Sequence, residues 1–155
     1  MAHIGEILAG VNPNTVDTVP KFQPGFEVLD EKGRTLRYVK ATTAVAVGDS
    51  VSLNTGYTQT TENGYIVQEP AAVAPAAAVT LALVGISEVA IPINNFGWVV
   101  TKGRVVGKVA AATAAASQLG TSATSGTLAA ITAGNSPRAV SLDAEASGTA
   151  AIVLM

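Results

Sequence analysis

The chain has 155 residues, with nine basic and eleven acidic side chains, one histidine and no cysteine. That length suits one ordinary domain. A net charge of −2 offers no basic excess for nucleic acid or an anionic membrane, and the missing cysteines exclude disulfides and thiolate metal sites.

Mean hydropathy is +0.40, yet the longest apolar stretch, 71–86, is alanine-rich and broken by Pro75. A bilayer-spanning helix needs about 20 continuous apolar residues, so no membrane span is expected. No signal peptide is expected either, because His3 and Glu6 stand where a basic stretch and an apolar run belong. Charged residues make up only 13% of the chain, and ten of the twenty lie between Glu6 and Lys40. Two explanations are open: a surface covered by identical or larger partners, or one made polar by Thr and Ser without charge.

Residues 1–33 show no sustained period. Asn12-Pro13-Asn14, Pro20, Pro24-Gly25 and Lys32-Gly33 interrupt them, and proline removes the donor that a central strand needs. They read as an extended arm with a short edge piece at Phe26–Leu29. Ile4, Ile7, Leu8, Val11, Phe22, Phe26 and Val28 are buried-type residues, which favours an arm that orders on a partner over a solvated tail. From Arg34 the pattern turns to β. Leu36 and Tyr38 alternate against Arg37 and Val39, Gly48-Asp49 makes a turn, and Val51-Ser52-Leu53 alternates again. Asn63-Gly64 is a hairpin signal. Strands follow at 80–86 and 88–93, then a turn at Asn94-Asn95. Next comes a long strand from Trp98 to Val109, with a bulge or bend expected at Gly103 and Gly107. Ala110–Ala116 has helix propensity but lacks an amphipathic face, and it reads as loop or strand. Ala150–Leu154 forms a last strand. The spacing predicts an all-β fold, a small β-sandwich or β-barrel over 34–155 with the arm at 1–33. A weak internal repeat sets Thr43-Ala44-Val45-Ala46 over Thr113-Ala114-Ala115-Ala116. Each copy is followed by an apolar piece and then by a strand opening at Gly97 or Gly148.

No constellation for catalysis stands out. His3 lies in the arm, where no rigid element positions it. Asp143 and Glu145 share a strand parity, which suits a cation site or, more simply, a solvated strand end. Asp30-Glu31-Lys32-Gly33-Arg34 reads as an exposed turn. Lys102, Arg104 and Lys108 share a parity if no bulge intervenes and would then form a basic stripe. Gly103–Gly107 lacks the ending and following helix of a phosphate loop. The expectation is a protein without enzymatic activity or cofactor.

Three stretches carry a resemblance: Tyr38-Val39-Lys40-Ala41 with Ala46-Val47-Gly48-Asp49-Ser50-Val51; Val84–Ala90 with Phe96–Val105; and Leu119–Gly126 before the last strand. Over 34–155 this pattern resembles the capsid decoration, or cement, proteins of tailed bacteriophages. The resemblance implies a compact β domain (β-tulip-like) on the capsid exterior, bound to the major capsid protein, commonly as a homotrimer. No nucleic acid, membrane or cofactor is expected. It also implies that the arm, with Ile4, Ile7, Leu8, Val11, Phe22, Phe26 and Val28, ties the body to the shell. Trp98, Tyr38 and Val99 are expected in the core or at a subunit interface. A minor tail or connector protein, and a carbohydrate-binding adhesive module, are the other readings of the same pattern; an enzyme accessory domain is disfavoured by the missing constellation.

Overall fold

A computed structural model of the protein describes residues 11–54, 66–68, 83–122, 124–131, 139–144 and 151–154. None of these residues is helical, and the fold is all-β. The strands are β1 (Glu27–Leu29), β2 (Thr35–Ala41), β3 (Ser50–Leu53), β4 (Ile66–Gln68), β5 (Leu83–Ser87) and β6 (Phe96–Lys102). They continue as β7 (Arg104–Gly107), β8 (Gln118–Thr121), β9 (Leu128–Ala130), β10 (Ala139–Ser141) and β11 (Ala151–Leu154).

The first sheet runs β1-β2-β4-β3-β5-β6 and closes on itself, because β2 also pairs with β6. Leu36 stands opposite Val100, Tyr38 opposite Trp98 and Lys40 opposite Phe96. On its other edge β2 takes β1 at Thr35–Arg37 and then β4, in parallel, at Lys40 and Ala41. The result is a five-strand barrel with β1 added outside. Its interior is lined by Val39, Ala41, Val45, Val51, Val67, Val84, Ile91 and Val99. A ring of so few strands encloses only a narrow interior, and valine and alanine fill it.

The second sheet runs β7-β11-β10-β8-β9 and is closed by one parallel bridge, Val109 to Leu128. It repeats the first ring strand for strand: β7, β8, β9, β10 and β11 stand where β2, β3, β4, β5 and β6 stand. The hydrogen bonds repeat as well. Gly48 N–H donates to the Ser87 carbonyl and Ser87 N–H to that of Asp49; Ala116 N–H donates to the Ser141 carbonyl and Ser141 N–H to that of Ser117. Thr42 N–H donates to Val67, and Ala110 N–H to Leu128. Gly48 and Ala116 are both left-handed, at φ 81° and 58°.

The repeat seen in the sequence therefore exists, but in another register. Thr113 aligns with Val45 rather than with Thr43, two positions from where sequence similarity places it. In an Ala/Thr-rich stretch one alignment looks as good as the next, whereas the ladder bonds admit a single one. For the same reason Ala151, not Gly148, matches Gly97.

The long strand expected from Trp98 to Val109 is two strands in different rings. Gly103, at φ 107°, bends the chain between them, and a Cβ there would sit 2.8 Å from the Arg34 Cγ. Gly107 stays within β7 without a bend. Ala110–Ala116 forms two tight turns, with Thr113 Oγ1 donating to the Ala110 carbonyl. The Asn63-Gly64 turn falls outside the described residues; β3 and β4, which flank it, pair antiparallel.

Candidate binding surface

Residues 11–33 lie against the outer face of the first barrel. Phe22 is the centre of the contact. Its ring stacks parallel on Phe26 at 5.5 Å and packs against Tyr38 at 5.4 Å and Trp98 at 5.3 Å. Tyr38 in turn touches Trp98 at 5.0 Å and stacks on Phe96 at 6.0 Å. All three phenylalanines and the one tryptophan thus meet in a single cluster. Backbone bonds pin the segment beside it: Asp17 and Phe96 exchange both N–H···O bonds at 2.9 and 2.8 Å, and Tyr38 N–H donates to the Phe26 carbonyl.

A polar latch sits on the same contact. The Tyr38 hydroxyl donates to the Asp17 carboxylate at 2.8 Å and accepts from the Lys21 backbone N–H, while Lys21 Nζ pairs with Asp17 at 2.7 Å. Burial raises the Asp17 carboxyl, but the bonds from Lys21 and Tyr38 outweigh it and hold the group below the ordinary carboxylate range. Burial first, and then the hydrogen bond to Asp17, push the Tyr38 phenol up to about 12.

Two further ion clusters join the barrels. Arg34 is buried, and its guanidinium makes two bonds to Glu88, at 2.6 and 2.9 Å, and one to Asp30 at 2.7 Å. Its Nη1 also reaches the Arg104 carbonyl at the start of β7. Asp30 feels burial upward, yet bonds from the Arg34 backbone and guanidinium hold it low; Glu88 foremost, then Asp30, favour the charged guanidinium. Asp49, also buried, accepts from Ala46 N–H and from Lys108 Nζ, both at 2.6 Å. Ser50 reinforces the seam, with its N–H and hydroxyl both donating to the Gly126 carbonyl.

Residues 11–33 are continuous with the body rather than separate from it. Val28 is buried in the core, Val11 and Phe22 are half-buried against it, and Phe26 alone of these is exposed. Ile4, Ile7 and Leu8 fall outside the described residues. Trp98, Tyr38 and Val99 are buried within the single chain. Arg34 does not belong to an exposed turn. The basic stripe is broken, because Gly103 separates Lys102 from Arg104 and Lys108 is committed to Asp49. Asp143 is exposed just past β10, where its carbonyl accepts from the Ser141 hydroxyl; Glu145 falls outside the described residues. His3 does too.

Sequence reading missed the partners of Asp17, Arg34 and Asp49, which lie 21, 54 and 59 positions away. The available signal was Asp17 and Asp49 set among valines; Arg34, in a charged stretch, offered none. Among the described residues, no three of His, Cys, Asp or Glu are grouped to hold a metal ion, and no helix is long and apolar enough to cross a membrane. Val19, Val47, Ile93 and Val106 are exposed by more than half, and Phe26 and Leu142 by somewhat less. The chain matches no protein-family model and no curated protein.

Proposed function

We propose that the protein is a structural component of a tailed-phage virion that binds the capsid exterior and stabilises the shell by bridging major capsid protein subunits. One observation carries this reading: among the described residues most charges are spent on one another, while apolar side chains stand exposed. Asp17–Lys21, Asp30–Arg34–Glu88, Glu27–Arg37 and Asp49–Lys108 neutralise one another. Glu31, Lys32, Lys40, Lys102, Arg104 and Asp143 are the other charged side chains among the described residues. Val19, Val47, Ile93 and Val106 are exposed beside so sparse a polar coat. A surface of that kind is suited to being covered.

Such a role needs no active site. A protein that binds only the assembled, expanded shell stabilises it by mass action. The fused barrels supply a stiff body, and the first ten residues, with Ile4, Ile7 and Leu8, reach a neighbour on the shell. Association as a homotrimer belongs to the same reading.

The test is co-sedimentation with expanded heads assembled from the same virus's capsid protein. Saturable, stoichiometric binding and a higher temperature of head disruption are expected. Protein that stays in the supernatant at tens of micromolar would overturn the proposal.

A further inference from the structure

One end of the first barrel is closed by a ribbon in which residues 41–49 run antiparallel to 87–95. The ribbon is twofold symmetric about its central pair, Val45 and Ile91, which exchange both N–H···O bonds and plug the interior. The bond from Gly48 N–H to Ser87 has its counterpart in that from Asn94 N–H to Ala41. Likewise Ser87 N–H to Asp49 matches Ala41 N–H to Asn95. Each half ends in the same tight turn, Ala46–Asp49 and Pro92–Asn95. In both, the fourth N–H donates to the first carbonyl, and the third residue, Gly48 or Asn94, is left-handed. Val47 and Ile93 are the second residues of these turns, and each is 58% exposed. Ala44, Ala46, Ala90 and Pro92 flank the central pair and are exposed too. The ribbon's two charged residues, Glu88 and Asp49, are spent on Arg34 and Lys108.

The second position of a turn of this kind accepts most side chains, so folding alone does not call for an apolar, β-branched residue there twice. We propose that the ribbon is a contact between two copies of the chain, related by a twofold axis. Charge and symmetry both name a second copy as the occupant. The outward side chains carry no charge, so the surface meets itself without like-charge repulsion and strands no ion, whereas a charged partner would lose its hydration unpaired. The surface also repeats under its own twofold, so a second copy returns the same series of tip, flat centre and tip. Contacts of this isologous kind are the commonest between identical chains. On the second barrel the turn is kept and the tip is not. Ala116 bonds to Ser141 as Gly48 does to Ser87, and Ala115 stands in the place of Val47. The patch is smaller than the about 20–30 residues a side of a standard interface, which makes the contact a weak one in free solution. It does not depend on the shell, so head binding and self-association fail or succeed separately.

Sedimentation equilibrium of the purified full chain, without heads, is the test. The average mass of the intact protein is expected to rise with concentration through about 100 micromolar, as a weak contact requires. Val47→Lys or Ile93→Lys moves that rise at least tenfold higher, because each substitution enters the contact from both sides. Ala115→Lys, at the equivalent exposed tip of the second barrel, leaves it unchanged. A twofold axis in the plane of the ribbon sets Val47 opposite either Ile93 or Val47 of the second copy. Association is therefore recovered by a chain carrying both Val47→Lys and Ile93→Asp, or by an equal mixture of Val47→Lys and Val47→Asp chains. Trp98 fluorescence checks that every variant is folded. An intact protein whose mass does not change with concentration would overturn the proposal. So would an equal loss with Ala115→Lys, or recovery by neither charge pairing. If Val47→Lys weakens binding to heads and leaves self-association unchanged, the shell covers the ribbon and the proposal falls.

Discussion

Arg34 shows how one side chain can hold three parts of this molecule in place. It binds Asp30 in the loop after β1, Glu88 after β5 and the carbonyl of Arg104 at the head of β7. Removing one partner from such a buried cluster leaves uncompensated charge, which typically costs about 3–5 kcal/mol. The Glu88 carboxylate is partly exposed, which places Arg34→Ala at the lower end, about 3 kcal/mol by urea denaturation. Arg34→Lys recovers little of this, since an ammonium cannot form the paired bonds to Glu88. Tyr38 gives a second, independent handle. Its phenol is raised in the folded state to about 12, whereas the unfolded value is near 10. The stabilisation is therefore complete below pH 10 and is lost as pH rises from there toward 12. Alkaline unfolding followed by Trp98 fluorescence is expected in that window. Tyr38→Phe should flatten the pH dependence there while lowering stability at neutral pH, because the bond to Asp17 is gone.

At the scale of elements, the tight turns carry the repeat. Gly48 and Ala116 hold the same left-handed turn and make the same bond, to Ser87 and to Ser141. Alanine is strained there and glycine is not, a difference of about 1 kcal/mol. Ala116→Gly is therefore expected to stabilise the protein by up to about 1 kcal/mol, read as a higher denaturation midpoint with unchanged slope. Strand positions and turns were largely legible beforehand: β2 and β3 follow from alternation, β5 and β6 from short apolar runs, and Gly48-Asp49 and Asn94-Asn95 mark their turns. The covering of the first barrel was not. Phe22 and Phe26 announce burial by their composition, but nothing local distinguishes burial on their own barrel from burial on a partner. Ring closure was equally hidden, since the β2–β4 and Val109–Leu128 pairings are parallel and bridge long intervals. The stripe of Lys102, Arg104 and Lys108 failed because one left-handed glycine reassigns everything after it.

Across the whole molecule, the two rings share a core. Leu36, Tyr38, Ile86, Trp98 and Val100 from the first pack in one cluster with Val105, Val109, Leu119, Leu128 and Ala139 from the second. The Arg34 and Asp49 clusters and the Ser50–Gly126 bonds cross the same seam. The protein is accordingly expected to unfold in a single calorimetric transition whose van't Hoff and calorimetric enthalpies agree. Two resolved transitions would show that the rings are separately stable. Gly103 has a further consequence, which concerns synthesis. It is the sole residue between β6 and β7, so the first ring is complete in the nascent chain before any strand of the second has emerged. The second must wait for β11, which inserts between β7 and β10. A ribosome translating this message thus exposes a finished half, with Leu36, Ile86 and Val100 bare along the future seam, for as long as the remaining strands take to appear. That interval, rather than the folded state, is when the chain is most open to capture by a chaperone or by another copy of itself.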